Sequence, residues 1–457
     1  MKKNLLLVAV LTISSFISNA QPWIVQNTNF PIRFTDVKTI SVPAPGIAWV
    51  TADDLAGNNN FLDFSRTIDG GTNWTNGVIG TDTTFQCANL SAINGDTAWA
   101  CMFNQVLQFG GGIWKTTDGG NNWIQQDSGL IFDANSYPDI VHFWDANNGV
   151  AIGDPNNGYF EIYTTTNGGT NWVRTPSANI PVPVTASTEW GLTNDFSVVG
   201  NTIWFVTNKG RVYKSIDKGL NWTVSSAYAV NTAQRQSVDV RFLDSNNGLV
   251  LVNDSNLVRV ILKRTTDGGT NWTTQPVTGN LMTWDLAGIP GSGMYMSTSW
   301  LGSGTAGNQG CSVSLDSGAT WITIDTLLHW AIGAFDINNV WSGGFVDVNI
   351  NLLLVGGIYK LDPNMITGIS PREDLKAEVN AYPNPSTGIV NMNFKTEKNT
   401  DVNVSVLNMI GEQVCGTKFK NVSLFTHSFD FSYLPKGIYI LNLDYGVQHS
   451  TQKLVIQ

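Results

Sequence analysis

Short apolar runs separated by clusters of Gly, Asn and Asp recur along most of this chain, a pattern of brief strands and tight turns without sustained helical periodicity. Runs such as Gly112-Ile113-Trp114-Lys115 and Arg211-Val212-Tyr213-Lys214 lead into one eight-residue phrase, Thr116-Thr117-Asp118-Gly119-Gly120-Asn121-Asn122-Trp123 in its second copy. The other copies of this box occupy Thr67 to Trp74, Thr165 to Trp172, Ser215 to Trp222, Thr265 to Trp272 and Ser314 to Trp321. Their tryptophans fall 49, 49, 50, 50 and 49 residues apart, and a fixed period of this size marks a solenoid, propeller or array.

Midway through each period lies a turn followed by an apolar strand: Gly46 to Trp49, Asp96 to Trp99, Asn147 to Val150, Asn201 to Trp204, Asn246 to Leu249, Gly291 to Tyr295 and Asn338 to Trp341. These number seven against six boxes. Strands also precede the middle turn, as at Phe143-Trp144 and Val240-Arg241-Phe242, so each period supplies four short antiparallel strands. Such units repeated radially make a β-propeller, with a linear solenoid as the competing architecture. Near the start, Trp23-Ile24-Val25-Gln26 resembles the strand that follows a box, while Gly357-Ile358-Tyr359-Lys360 resembles a strand leading into one. Pairing them completes a seventh blade. The expected fold is all-β, a seven-bladed β-propeller over residues 21–362 followed by a small β-sandwich.

Turn chemistry accounts for the residues of the box: glycines permit positive φ, the acid accepts backbone N–H groups, and the Trp packs between sheets. The third copy carries Asn167 in place of the acid, which keeps an acceptor oxygen without the charge. The phrase Ser/Thr-x-Asp-x-Gly-x-x-Trp resembles the Asp-box, or bacterial neuraminidase repeat. That resemblance implies that Asp69, Asp118, Asn167, Asp217, Asp267 and Asp316 sit on peripheral turns between the third and fourth strands of their blades and are structural. Propellers of this kind include sialidases, xyloglucan-degrading glycosidases, sortilin-type receptors and photosystem II assembly-factor-like proteins. The sialidase pattern of six blades, an Arg triad, a Tyr/Glu pair and a Phe-Arg-Ile-Pro phrase is poorly matched, since Phe30-Pro31-Ile32-Arg33 only scrambles the last of these. The near-uniform period looks more like the assembly-factor-like group, which acts by binding.

The two ends read differently. Lys2, Lys3, the apolar stretch Leu5 to Ile17 and the small residues Ser18-Asn19-Ala20 read as a signal peptide over residues 1–20. No other apolar run reaches the length of a membrane-spanning helix, so none is expected in the mature chain. Residues 363–380 read as a linker. Beyond it, strands are expected at Ile389 to Phe394, Val402 to Asn408, Phe429 to Phe431, Ile438 to Leu443 and Lys453 to Ile456. The ordered phrases Tyr382-Pro383-Asn384-Pro385, Leu434-Pro435-Lys436-Gly437-Ile438-Tyr439 and Lys453-Leu454-Val455-Ile456 make residues 381–457 resemble the type A C-terminal sorting domain of the type IX (Por) secretion system of the Bacteroidetes. The resemblance implies that this machinery is a partner, that the protein is secreted or held at the outer-membrane surface, and that the domain is either cleaved or attached to surface lipopolysaccharide.

Charge and candidate chemistry narrow the functional classes. The formal charge is −10, and removing Lys2 and Lys3 leaves 23 basic against 35 acidic residues, or −12. A diffuse acidic surface argues against a nucleic-acid partner. Export permits disulfides, and Cys87 and Cys101 flank the hairpin signal Asn94-Gly95 so as to lie nearly opposite each other; two buried free thiols are the alternative. With four histidines and no phosphate loop or nucleophile elbow, zinc and triad chemistry find little support, and His142 reads as a packed imidazole. One constellation remains. An acid stands at or near the start of the innermost strand in five blades, at Asp36, Asp139, Glu189, Asp239 and Asp285, where the other two offer Cys87-Ala88-Asn89 and Trp330-Ala331. A ring of carboxylates at the channel mouth would raise pKa values or recruit a divalent cation, whereas the plainer role is to cap turns and bond neighbouring backbone. No other cofactor is expected. The connections Asp53 to Asp63, Asn179 to Glu189 and Trp300 to Gln309, with Phe61 and Trp300, suit contact with a sugar or a peptide. The expected function is binding or scaffolding of a glycan or protein ligand. The alternatives are a secreted glycoside hydrolase, using two mouth carboxylates, and a purely structural adhesion protein.

Overall fold

A computed structural model describes residues 22–30, 35–54, 62–107, 110–126, 131–133, 135–184, 188–228, 237–254, 259–299, 309–346, 357–365, 377–408, 413–445 and 448–457. The signal-peptide segment and the aromatics Phe61 and Trp300 lie outside them. The chain divides into two compact units, Met1–Ile369 and Ser370–Gln457.

In the first unit the described residues form seven sheets, each built on four antiparallel strands. The innermost strands are Thr35–Ala44, Phe85–Ala92, Pro138–Phe143, Gly191–Val199, Ser237–Phe242, Asp285–Ile289 and Ile332–Asp336, and they number blades 1 to 7. Each packs against the innermost strand of the next blade and the seventh packs against the first, so the sheets close into a propeller. Closure uses both ends of the unit. Trp23–Asn27 pairs antiparallel with Gly357–Leu361, Trp23 opposite Leu361 and Asn27 opposite Gly357, and supplies the outermost strand of blade 7. A closed ring leaves no blade with an open face, and Trp23 is buried in a core shared with Met294, Met296 and Tyr359.

The periodic residues are those that join one blade to the next. Trp99 Nε1 donates to the carbonyl of Gly168 at 3.0 Å, and Trp204 Nε1 does the same to Gly268 at 3.0 Å. Both carbonyls belong to the following blade's box. Lys115 Nζ donates to the Gly168 carbonyl at 3.0 Å from above the Trp99 ring. Lys360 Nζ reaches the Gly70 carbonyl at 3.1 Å and ties blade 7 to blade 1. Phe143 and Phe242 stack on Trp99 and Trp204 with ring centroids 3.6 and 3.8 Å apart. Trp49, Trp99, Trp204 and Trp341 are fully buried. At about 200 Å² and ~25 cal/mol/Å², each contributes about 5 kcal/mol of burial before entropy is counted.

The second unit is a small β-sandwich whose two layers share their longest strands. Ile389–Leu407 and Gln413–Asp430 pair along most of their length, with register shifts between Lys395 and Val402. The first half of Ile389–Leu407 also pairs with Ala377–Tyr382, and the second half with Gly437–Tyr445. Val390, Met392 and Phe394 from one half meet Val404, Val406 and Leu441 from the other in a single core. Two expected strands, Ile389 to Phe394 and Val402 to Asn408, are therefore one bent strand. Most of Gln413–Asp430 carried no strand signal because its side chains are largely exposed or half-buried and lack strict alternation. The strand Ala377–Tyr382 begins inside the stretch that reads as linker.

The four cysteines are free. Cys87 and Cys101 do lie on neighbouring strands, but a bulge sets Cys87 opposite Met102 and Asn89 opposite Cys101. The two thiols consequently enter different cores, on opposite faces of blade 2, which corrects the disulfide expectation.

Candidate functional site

Each box is a self-contained turn at the exposed end of its blade. In the second copy, Thr116 Oγ1 donates to Asp118 Oδ1 at 2.9 Å and accepts the Gly120 N–H at 2.9 Å. Asp118 also accepts the Asn122 N–H at 3.0 Å and its side-chain amide at 2.7 Å. These hydrogen bonds from Asn122 and Thr116 hold the Asp118 carboxyl below its ordinary pKa. Asn167 preserves the bonds to Thr165 Oγ1 and Asn171 N at 3.0 Å each. The acids at 69, 217, 267 and 316 repeat the bonds to the residue two before and the N–H four after. Gly120 shows why a glycine is needed, since its φ is +85° and a Cβ there would lie 2.0 Å from Phe64 Cζ of the preceding blade.

The channel on the propeller axis is a cavity of about 450 Å³ to which all seven innermost strands contribute. Its wall includes Ser41, Ser91, His142, Asn194, Arg241 and Asp285 among apolar residues such as Phe196 and Trp144.

The five acids singled out from the sequence do not share one site. Glu189 is fully enclosed and pairs with Arg211 Nη1 at 2.8 Å, while accepting Thr207 Oγ1 at 2.8 Å and the Val184 N–H at 2.6 Å. Asp36 stands opposite Asp53 across its hairpin, and burial followed by the Asp53 charge pushes its pKa up to about 7. Asp139 accepts Thr193 Oγ1 of blade 4 at 2.9 Å and lies against Asp154, which accepts the Gly191 N–H of blade 4 at 2.8 Å. Burial and the neighbouring Asp154 charge raise the Asp139 pKa. Asp239 and Asp285 alone are brought together, through Arg241, whose Nη1 pairs with Asp239 and whose Nη2 pairs with Asp285 at 3.1 Å. Each also accepts a backbone N–H from the next blade, Leu286 on Asp239 at 2.7 Å and Ile332 on Asp285 at 2.9 Å.

Bonding from inner strand to next inner strand is thus the prevailing use of these polar positions. Asn89, in a blade without an acid, does the same with both its amide atoms on Val141. Among the described residues no group of three His, Cys, Asp or Glu side chains is arranged to hold a metal ion.

A second constellation escaped sequence reasoning because its members, although close in the chain, sit on different elements that only the packing of the blades brings together. His329 Nδ1 lies 2.8 Å from Ser342 Oγ, and its Nε2 lies 3.0 Å from Asp325 Oδ1. This Ser-His-Asp set is not a nucleophile site: Ser342 is fully buried and donates to the Ala331 carbonyl at 3.0 Å. Asp325 also accepts Trp23 Nε1 at 2.8 Å, so the set anchors the ring-closing strand. Asp154 and Asp195 were missed as well, because neither stands at the start of an inner strand.

Fold and site together define a seven-bladed propeller with architectural repeats and an axial channel, followed by a small β-sandwich. Residues 380–457 match the family described as Secretion system C-terminal sorting domain, which places the chain among proteins exported through the type IX system to the cell surface or beyond. No helix among the described residues is long and apolar enough to cross a membrane. Among solved structures the chain is similar to YCF48 from Cyanidioschyzon merolae, with 17% identity and a TM-score of 0.52 over 75% of this chain and 99% of that one. YCF48 bound to D1 peptide aligns with 16% identity and a TM-score of 0.48 over 75% and 97% of the two chains. Trypanosoma rangeli sialidase in complex with 2,3-difluorosialic acid aligns with 11% identity and a TM-score of 0.38 over 94% and 88%. No curated protein matches the chain.

Proposed function

We propose that this protein is a binding propeller, secreted or held at the cell surface, that takes its ligand at the axial channel. One observation carries the reading: the channel is walled by all seven blades, while Asp139, Asp239 and Asp285 bond the next blade and Glu189 is enclosed within its own. Glycoside hydrolysis requires two carboxyl groups free to face one bond across a water or a sugar carbon. Of the acids only Asp285 lines the channel, and it is paired with Arg241, so the wall offers no second carboxyl group to work with it. The sorting unit is in this reading an address, removed on release or joined to surface lipopolysaccharide.

Incubating the purified protein with a panel of polysaccharides and assaying reducing ends tests the proposal. Saturable binding without turnover is expected. Turnover that disappears in Asp285→Asn would replace it with the hydrolase reading, and cell fractionation separates released from surface-held forms.

A further inference from the structure

The innermost strand of blade 4 differs from the other six. Between Gly191, opposite Thr207, and Phe196, opposite Phe205, it advances five residues while its partner advances two. The irregularities in other inner strands, such as Val37/Thr39 and Cys87/Asn89, add one residue. Bulges of this kind re-aim side chains and occur beside sites.

The extra residues are pinned on both sides. Gly191 N–H and Thr193 Oγ1 bond Asp154 and Asp139 of blade 3, while Asp195 faces Arg241 of blade 5 and Asp285 of blade 6. Asn194 lies between these anchors, lines the channel, and has φ +63°. Left-handed backbone costs a non-glycine residue energy and persists where the surroundings dictate it; Asn tolerates it better than most. Asn194 is half-buried on the cavity wall, and its amide has no hydrogen-bond partner among the described residues.

The rest of the wall sets the ligand class. The Arg241 charge is spent on Asp239 and Asp285. Burial lowers the His142 pKa to about 4, so that ring is neutral at ordinary pH. Ser41, Ser91 and Ser197 accept backbone N–H groups from the next blade at 3.1, 3.0 and 2.9 Å, and each keeps a hydroxyl proton to donate. Trp144, Phe196 and Pro290 add apolar faces. Hydroxyls, an amide and aromatic surface, with no cation left over to pair an anionic group, complement a molecule that itself alternates hydroxyls with C–H faces.

We propose that the channel binds an uncharged sugar unit, with Asn194 as its hydrogen-bonding anchor, a proposal that rests on the channel-binding reading above. The test titrates the full exported chain, by calorimetry and tryptophan fluorescence, with maltose, cellobiose and N,N′-diacetylchitobiose, against 3′-sialyllactose and glucosamine as charged controls. At least one neutral sugar is expected to bind saturably and the charged controls not to bind. Asn194→Gly, which suits positive φ, should keep the melting temperature and weaken that binding roughly tenfold. Asn194→Asp, which adds a charge beside Asp195, should weaken it further. Equal binding by Asn194→Gly, a preference for the charged sugars, or no binding by any sugar overturns the proposal. Release of cleaved product would instead overturn the binding-only reading while leaving the sugar site in place.

Discussion

Arg241→Met is the most direct probe of how the channel wall is held. The guanidinium is the counter-charge for Asp239 and Asp285, is felt by Asp195, and donates to the carbonyls of Phe196 and Val240 at 3.1 and 2.8 Å. Methionine keeps much of the volume but leaves three carboxyl groups facing each other and one carbonyl of blade 4 without its donor. Removing one partner of a buried ion pair costs about 3–5 kcal/mol. With an unfolding entropy of ~2.1 cal/mol/K per residue, a propeller of about 340 residues has roughly 0.7 kcal/mol/K, so ~4 kcal/mol lowers the melting temperature by about 6 °C. The loss depends on pH with a definite sign. Burial raises the Asp239 and Asp195 pKa values above their unfolded value of about 3.9, against the lowering effect of Arg241. Stability from a raised carboxyl group is fully present below the unfolded value and is lost as pH climbs through the folded one. Without Arg241 those folded values rise further, so the variant loses more stability than wild type between pH 5 and pH 8. Scanning calorimetry of both proteins at the two pH values measures this. A melting difference under about 1 °C, or one that is equal at pH 5 and pH 8, would refute the reasoning.

Four further outcomes follow from the packing. Trp23→Ala should cost about 3–5 kcal/mol and release the ring-closing strand, seen as faster proteolysis of blade 7 in the intact chain. Gly120→Ala should destabilise by about 2–4 kcal/mol through its positive φ and its clash with Phe64, whereas Asp118→Asn, the change already present at Asn167, should stay within about 1 kcal/mol in denaturant titrations. Asp36→Asn should remove a stability loss that wild type suffers as pH rises from about 4 towards about 7, so the two melting curves should separate at high pH and converge at low pH. In the sorting unit, Asn384 accepts the Val455 N–H at 2.9 Å and donates to the Lys453 carbonyl at 2.5 Å, so Asn384→Ala should expose the last strand to hydrogen exchange and reduce export in a host with type IX secretion.

Much of this architecture is legible in the sequence because propeller repeats repeat their contacts. The same Trp, Lys and Gly-Gly positions make the same inter-blade bonds at Trp99, Lys115 and Gly168 and again at Trp204 and Gly268, so a local pattern carries tertiary information. Even the ring closure of Trp23–Asn27 on Gly357–Leu361 shows itself, as a strand without a box at one end and a strand leading to no box at the other. The channel is different. Acids at equivalent positions suggest a shared ring, yet each one's role depends on what the next blade places beside it: Arg211 for Glu189, Asp154 for Asp139, Arg241 for Asp239 and Asp285. The blade 4 bulge leaves only a lengthened interval, since Val150 and Trp204 lie 54 residues apart (204 − 150) where Trp49 and Trp99 lie 50 apart (99 − 49).

By itself the sequence determined the blade number, the structural character of the boxes and the sorting unit, because period, turn chemistry and signature phrases are local properties of the chain. Only the tertiary structure decided that Cys87 and Cys101 face opposite ways, that Asp325, His329 and Ser342 anchor a strand, and that a bulge places Asn194 on the channel wall. Those outcomes depend on register shifts of one to three residues and on side chains from different blades, which no periodic pattern encodes.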